Sequence, residues 1–333
     1  MPRPRNTLVS LDATPYYHCT SRCVRRAFLC GEDSHSGRSF EHRRQWLEDR
    51  LLEVAAVFAI DIAAYAIMSN HYHVVLHIDP EQAQAWTDLE VAERWHRLFS
   101  GSLLSQRFVR GEALTKAEMK ALEKTIATWR ERLASISWFM RCINEPIARE
   151  ANREDNVTGH FWESRYTSQA LLDEQAVAAC MAYVDLNPIR AMLATTPESS
   201  EYTSIRRRIE QAQTTRLPNR LDQQASQLMP FAGNPREPMP NGLPFRLTDY
   251  LELVDWSGRI IREDKKGAIP ENVPDILNRL NIDAGNWLYL TRNFESPFKN
   301  LVGAAHNIRS ACEKLGKCWV HGISQCERLF SSG

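Results

Sequence analysis

Residues 60–78 have the sequence IDIAAYAIMSNHYHVVLHI, and this stretch contains two mainly apolar runs separated by only two polar residues. The runs cover residues 60–68 and 71–78, and Ser69-Asn70 lies between them. Two polar, turn-forming residues between strand-like runs are typical of a β-hairpin. The sequence therefore predicts two adjacent antiparallel strands at this point of the chain.

The segments around this hairpin predict a further strand and several helices. Residues 16–24 are rich in aromatic and β-branched residues, which favours a strand. Residues 39–59 carry apolar side chains near helical spacing, which favours a helix. Beyond the hairpin, residues 81–135 are rich in Glu, Lys, Ala, Leu and Arg, and helical spacing continues to about residue 149.

A strand and a helix complete this part of the chain. The strand is expected around residues 166–171, and Asp173 is a suitable N-cap for a helix that runs to about Asn187, where Pro188 disfavours continuation. The order β-α-β-β-(helices)-β-α predicts an α+β fold, in which an antiparallel sheet carries helices on one face. This arrangement is close to the ferredoxin-like, split βαβ plan.

Composition predicts how the chain is divided into parts. Residues 10–200 form one domain, with a helical insertion at about 81–135. Residues 211–245 are rich in Gln, Asn, Pro and Gly, which is typical of a linker. Residues 246–333 form a smaller, helical accessory segment.

Overall composition indicates a globular protein, because 43% of the residues are hydrophobic and 25% are charged. No stretch approaches the roughly 18 consecutive apolar residues that cross a bilayer. Residues 1–6 are not followed by the apolar core of a signal peptide. We therefore expect a cytoplasmic protein without a membrane partner.

Net charge is zero, which taken alone argues weakly against a nucleic-acid-binding protein. Screening limits charge interactions to about 8–10 Å, so local clusters matter more than the sum. One basic cluster lies near the N-terminus and the other in the run 206–208; they consist of Arg3, Arg5, Arg22, Arg25 and Arg26, and of Arg206, Arg207 and Arg208. Each cluster can contact phosphates or can simply form a solvated face.

The eight cysteines have irregular spacings, and the chain contains no C-x-x-C motif. In a reducing compartment such cysteines are usually small buried side chains. The group Cys318, His321 and Cys326 resembles a zinc set only weakly.

His71 and His73 are two residues apart on a predicted strand, so their side chains point to the same face. Their Cα atoms are then roughly 6.6–7 Å apart, which allows two imidazoles to converge on one metal ion. His77 shares this face but lies too far along the strand to join both. Taken alone, the pattern more often represents two surface histidines.

Tyr183 and Asn187 lie about 40° apart around the predicted helix, one turn from each other. A phenol and an amide are thus presented together, beside an apolar stripe that includes Cys180 and Val184. The alternative is an ordinary amphipathic helix with a half-buried tyrosine and an asparagine at its C-terminal end.

Four motifs in this order resemble those of the IS200-like transposases, and in particular the REP-associated tyrosine transposases. They are YHCTSR at 17–22, AYAIMSNHYHVVL at 64–76, GHFWESRY at 159–166 and YVDLNPIRA at 183–191. The resemblance covers residues 16 to about 193, rather more than half of the chain. Residues 247–259 also resemble the tail of longer members of that family.

This resemblance implies a histidine–hydrophobic–histidine (HUH) nuclease that cuts and rejoins single-stranded DNA at hairpin or palindromic repeats. His71, His73 and Asn187 would bind Mg²⁺ or Mn²⁺, and Tyr183 would be the nucleophile that forms a 5′-phosphotyrosine and leaves a free 3′-OH. The protein would work at the nucleoid, as a monomer or a homodimer. Ser69 and Met192 stand where proline and glycine are common in the family.

Other residues are secondary candidates, each with a simpler structural interpretation. His18 can line the site from the neighbouring strand, and Trp162 can stack on an unpaired base. Arg22 and Arg165, together with the basic run 206–208, can contact phosphates. Tyr166 is a rival nucleophile, although a core position on its strand is the simpler interpretation.

Two alternative functions remain open at this point. The first is a domesticated protein that binds DNA repeats without cleaving them. The second is a metal-dependent phosphodiesterase that activates water and uses Tyr183 only as a structural residue.

Overall fold

The computed structural model describes residues 10–24, 29–31, 37–233, 241–262, 273–316 and 321–330. The strands are β1 (Tyr16–Arg22), β2 (Ile60–Ile67), β3 (His71–Ile78), β4 (Thr167–Leu171) and β5 (Leu301–Val302). The helices before β4 are α1 (His42–Ala55), α2 (Pro80–Ala85), α3 (Asp88–His96), α4 (Leu103–Val109), α5 (Lys116–Leu133) and α6 (Ile136–Asp155). Those after it are α7 (Glu174–Asp185), α8 (Asn187–Arg190), α9 (Ser204–Gln213), α10 (Leu247–Arg262), α11 (Asp275–Leu280), α12 (Ala284–Asn293), α13 (Ala305–Lys314) and α14 (Ile323–Leu329).

The strands form one sheet in the order β2-β3-β1-β4-β5. Strand β1 lies at its centre and pairs antiparallel with both β3 and β4, while β2 and β3 form the predicted hairpin. The α+β class predicted from the sequence is confirmed. Because β1 and β3 are neighbours in register, Thr20 lies directly opposite His73, and Arg22 lies opposite His71.

Helices cover both faces of this sheet, so the prediction of helices on one face is wrong. On one face the hydroxyl of Tyr65 donates to Glu48 of α1 (2.6 Å), and that of Tyr72 donates to Asn144 of α6 (2.8 Å). On the other face the rings of His73 and of Tyr183, on α7, are 5.9 Å apart. The nearly continuous apolar runs of β2 and β3 are typical of strands that are buried on both faces.

The sheet is also not purely antiparallel, because β5 pairs with β4 in the parallel direction. The amide of Ala170 donates to the carbonyl of Asn300 (2.8 Å), and the amide of Leu172 donates to that of Val302 (2.9 Å). A two-residue strand leaves no periodic pattern in a sequence. The predicted linker and accessory segment remain a proposal, but residues from beyond 246 extend the sheet that carries the histidines.

The helical block at 81–135 contains α2 to α5, as its composition predicts. Its apolar side chains stack on one another, and the ring of Trp95 lies 5.1 Å from that of Trp129 and 4.4 Å from that of Phe99. Capping boxes at Thr87 and Thr115 begin α3 and α5. Within the described parts of the chain, no helix is both long and apolar enough to span a membrane.

Candidate active site

His73 is almost completely buried, with 1% of its surface exposed. Its Nδ1 lies 3.0 Å from Nε2 of His18 and 3.2 Å from the hydroxyl of Thr20, both on the neighbouring strand β1. Burial lowers the pKa of His73 well below its ordinary value, and the adjacent histidines lower it further. His73 is therefore a neutral imidazole, which is the form that binds metals.

A chain of hydrogen bonds determines which ring nitrogens carry a proton. The amide nitrogen of Gln169 donates to the carbonyl of Phe298 (2.8 Å), so its oxygen faces Nδ1 of His18 (2.9 Å) and accepts from it. Nε2 of His18 then holds a lone pair and accepts from Nδ1 of His73. Consequently Nε2 of His73 also holds a lone pair, and this buried atom has no hydrogen-bond partner among the described residues.

His71 supplies a second lone pair on the same face of β3. Its Nδ1 lies 2.6 Å from the side-chain oxygen of Asn70 and donates to it, which leaves Nε2 unprotonated. Its ring centre is 4.8 Å from that of His73. Burial, and then the charge of Arg22, lower the pKa of His71 to about 4, so this residue is also neutral at physiological pH.

Tyr183 lies edge-on against this histidine pair. Its ring centre is 5.9 Å from that of His73 and 6.4 Å from that of His18. Burial, and then the carboxylate of Glu295, raise the pKa of its hydroxyl to about 12. The guanidinium of Arg190 lies 3.9 Å above the ring, and its positive charge lowers the pKa of Tyr183, although by less than burial and Glu295 raise it. Without a further cation the hydroxyl therefore stays protonated at neutral pH.

Asn187 lies just beyond the helix that carries Tyr183, and the predicted helix end at Pro188 needs correction. Helix α7 ends at Asp185, and after Leu186 the chain enters α8, in which Pro188 occupies the first turn. Proline is well tolerated there because its missing N–H would have no helical partner. Asn187 is buried with its amide nitrogen unpaired within the described chain, and no hydrogen bond there joins it to His71 or His73. Its role as a ligand stays a prediction.

Glu295 is a site residue that the sequence did not predict. It follows α12, and its carboxylate accepts from the hydroxyl of Thr20 (3.1 Å) and lies 3.5 Å from Nδ1 of His73. The preceding residue, Phe294, packs with its ring 5.8 Å from that of Tyr183. No local signal marks either residue, because the contacts join distant parts of the chain.

Two metal arrangements are available, and they use opposite nitrogens of His73. His18, His73 and Glu295 have ligand atoms within 4.8 Å of one another, on the Nδ1 side. On that side, however, hydrogen bonds already use the polar atoms. Nε2 of His73 is on the opposite side of its ring, and it is the atom that burial leaves without a partner in the described chain. We therefore favour His71 and His73 as the ligands, with His18 and Glu295 orienting the ring of His73 from behind.

Gln169→Leu is expected to weaken Mn²⁺ binding by about 10- to 100-fold, because His18 would lose the acceptor that fixes its tautomer. The measurement is a Mn²⁺ titration followed by electron paramagnetic resonance. Gln175→Leu is the matched control, because its amide also donates to a backbone carbonyl of the C-terminal segment, that of Leu280 (2.6 Å), and makes no hydrogen bond to a histidine among the described residues. Equal affinities in the two variants would contradict the tautomer assignment.

An open cleft of about 690 Å³ lies beside the histidines, and its lining includes Thr20 and Glu295, which contact His73, but not His71, His73 or Tyr183. Its inner end is formed by Thr20, Gln169 and Glu295. Two of the predicted phosphate contacts, Arg22 and Arg165, lie in its outer wall with exposed side chains. Trp162, by contrast, is half-buried, and its indole N–H donates to the carbonyl of Asn144 (2.8 Å).

The basic run 206–208 does not present three exposed arginines, so the prediction is corrected for Arg208, while the roles of Arg206 and Arg207 stay a prediction. Arg208 is 1% exposed and donates to the carbonyls of Ala63 and Met229. Arg207 pairs with Glu48, and Arg206 pairs with two glutamates of its own region. Consecutive arginines on a helix point in different directions, and a sequence run does not reveal which of them face inward.

Several other predicted residues lie outside the described residues. They are Arg3, Arg5, Arg25 and Arg26 of the N-terminal basic cluster, and Cys318 of the weak zinc set.

Asp185, at the end of α7, anchors the tyrosine helix to the rest of the protein. It is completely buried and accepts from the hydroxyls of Ser204 (2.5 Å) and Tyr250 (2.6 Å) and from the amide of Ile205 (3.1 Å). Burial raises its pKa from 3.8 to about 6, although these hydrogen bonds oppose the shift. The folded protein therefore binds this proton more tightly than the unfolded chain.

The stability of the wild type relative to Asp185→Asn should rise by about 1 kcal/mol between pH 7 and pH 5. A raised carboxyl pKa contributes stability that is fully present below about pH 4 and is lost as the pH rises through about 6. Urea unfolding of both proteins across this range measures the difference. A difference that stays constant, or that falls with decreasing pH, would rule out a raised pKa for Asp185.

No protein-family model and no curated protein sequence matches the chain. Among solved structures, the chain is similar to that of a REP-associated tyrosine transposase bound to a REP hairpin. The similarity covers 64% of this chain and 87% of the other, with 10% sequence identity and a TM-score of 0.33. It indicates a distant structural relationship, and a likeness at this level carries no argument about residues or activity.

Proposed function

We propose that this protein is a divalent-metal-dependent DNA transposase or endonuclease that cleaves and rejoins single-stranded hairpin DNA through Tyr183. The observation that carries the proposal is the buried, unpartnered Nε2 of His73, with the ring of Tyr183 5.9 Å from the ring of His73. Buried polar atoms without partners are rare, and one beside a second imidazole lone pair suits a metal ion. A tyrosine at this distance from His73 is suited to act as the nucleophile.

His71 and His73 hold the ion through their Nε2 atoms in this proposal, and Asn187 is the proposed third ligand. Mg²⁺ and Mn²⁺ both accept such mixed nitrogen and oxygen ligands, and Mn²⁺ is the better match to imidazole. When bound, the cation offsets the charge on the scissile phosphate and on the tyrosine oxygen. The positive charge would favour loss of the tyrosine proton. The metal-free site opposes this loss, because there the pKa of Tyr183 is raised to about 12.

The hydroxyl of Tyr183 releases its proton to solvent water, and its oxygen attacks phosphorus. A bond forms between the tyrosine oxygen and phosphorus, and the bond from phosphorus to the 3′-oxygen breaks. The departing 3′-oxygen takes up a proton, so the products are a 5′-phosphotyrosine and a free 3′-OH. Rejoining is the reverse attack by a 3′-OH, which needs no further energy source because the phosphodiester energy is retained.

The test uses a library of single-stranded hairpin oligonucleotides with randomised stems and flanks, incubated with the protein and Mn²⁺ or with EDTA. A label at the 3′ end should stay on the protein in a denaturing gel, because the tyrosine is linked to the downstream fragment. A label at the 5′ end should be released with a free 3′-OH.

The competing functions give different results in the same experiment. Metal-dependent cleavage with neither label retained would indicate the phosphodiesterase that uses water. Selection of particular hairpins with neither cleavage nor adduct would indicate the non-cleaving DNA-binding protein.

A further inference from the structure

A second concave surface lies next to the cleft that Thr20 and Glu295 line. This groove, of about 510 Å³, lies between helix α6 and the loop 159–166. Its lining is mainly apolar and includes Met140, Ala148 and the ring of Trp162. Ser164, Arg165 and Tyr166 line both the groove and this cleft, so one surface continues into the other.

Trp162 is held rigidly at the side of this groove. Its N–H donates to the carbonyl of Asn144 (2.8 Å), and its ring contacts those of Tyr72 and Phe161 edge-on, at 5.9 and 5.0 Å. The ring remains only half-buried. A fixed aromatic ring that keeps part of its surface open is suited to stacking against a planar ligand.

The rim of the groove carries a surplus of positive charge. Arg141 and Arg149 both pair with the same carboxylate, that of Glu145, and their side chains are 59% and 77% exposed. Arg165 is also exposed and makes no ion pair within the described chain. Three guanidinium groups and one carboxylate around an apolar wall complement a ligand with a flat apolar face and a negatively charged backbone.

We propose that the groove binds an unpaired nucleotide of the single-stranded DNA, which rests on the proposed function. The base stacks on Trp162, and the backbone phosphates lie against Arg149 and Arg165. An acidic peptide would also be attracted by the arginines, but the continuity with the cleft at Ser164–Tyr166 leads a DNA strand from one site to the other.

The charge part of this inference is tested with two arginines of α6. Arg149→Gln should weaken binding of a labelled single-stranded oligonucleotide about fivefold at 0.1 M salt, and reduce the salt dependence by about 0.7 in the slope of log K against log salt. Arg153→Gln is the matched control: its side chain is also 77% exposed and paired with a glutamate, but Arg153 does not line the groove. Fluorescence anisotropy across a salt series gives both quantities.

The stacking part is tested with Trp162→Leu, which should lower the affinity for single-stranded DNA about tenfold and leave binding to blunt duplex DNA unchanged. Trp46→Leu is the control, since this half-buried tryptophan on α1 lines neither cavity. Wild-type affinity and salt slope in both Trp162→Leu and Arg149→Gln, with cleavage intact, would overturn the groove as a binding site. A wild-type protein that binds no single-stranded DNA would instead overturn the proposed function.

Discussion

Tyr183→Phe protein is expected to form no covalent adduct with hairpin DNA, and to cleave it at least about 1,000-fold more slowly than the wild type. The substitution removes one oxygen atom and keeps the ring that packs against Phe294 and beneath Arg190. The fold and the histidines should therefore be unaffected. Single-turnover cleavage in Mn²⁺ measures the rate, and a denaturing protein gel measures the adduct.

Tyr166→Phe is the control for this result. Tyr166 lines the cleft beside the histidines and is the other tyrosine considered as a nucleophile, but its hydroxyl lies 3.1 Å from that of Ser137, on α6. We expect this variant to keep both adduct and cleavage. An adduct that persists in Tyr183→Phe and disappears in Tyr166→Phe would move the nucleophile to Tyr166.

His73→Ala should weaken Mn²⁺ binding by more than about 100-fold and abolish metal-dependent cleavage, because in the proposed site His73 is a buried ligand that the neighbouring residues cannot replace. His77→Ala is the matched control on the same strand and face. His77 lies 3.2 Å from a carboxylate oxygen of Asp61, away from the pair. Metal affinity is measured by calorimetry, and thermal unfolding in EDTA checks that both variants fold.

Two further variants distinguish the two nitrogens of His73. His71→Ala should lower metal affinity nearly as much as His73→Ala if the ion lies on the Nε2 side. Glu295→Gln should then have a smaller effect, because this carboxylate lies behind the ring, 3.5 Å from Nδ1. The reverse order, with Glu295→Gln more damaging than His71→Ala, would place the ion between His18, His73 and Glu295.

The sequence predicts those parts of the site that depend on local pattern. The hairpin places His71 and His73 on one face because strand side chains alternate, and the structure confirms the hairpin. Asp173 caps α7 as expected, through the amide of Ala176. The family resemblance implies that Tyr183 lies near His71 and His73, and the rings of Tyr183 and His73 are 5.9 Å apart in the structure.

Features that depend on long-range packing could not be predicted. The carbonyl of Phe298 accepts from the amide of Gln169, and the carboxylate of Glu295 accepts from the hydroxyl of Thr20. No pattern in the sequence of residues 246–333 indicates that this segment reaches the sheet. The tyrosine helix is buried on nearly all sides because α12 packs against it as well. Its sequence shows only an amphipathic stripe. In the same way, the run of arginines at 206–208 carries no sign that Arg208 points into the core.

Mass spectrometry of the protein–DNA adduct tests the central proposal most directly. The wild type is incubated with Mn²⁺ and hairpin DNA, and the adduct is digested with nuclease and trypsin. The tryptic peptide 166–190 contains both candidate tyrosines, so its fragmentation spectrum identifies the modified residue. We predict a nucleotide phosphate on Tyr183, formed with Mn²⁺ and not with EDTA. A phosphate on Tyr166, or cleavage without any modified peptide, would contradict Tyr183 as the nucleophile.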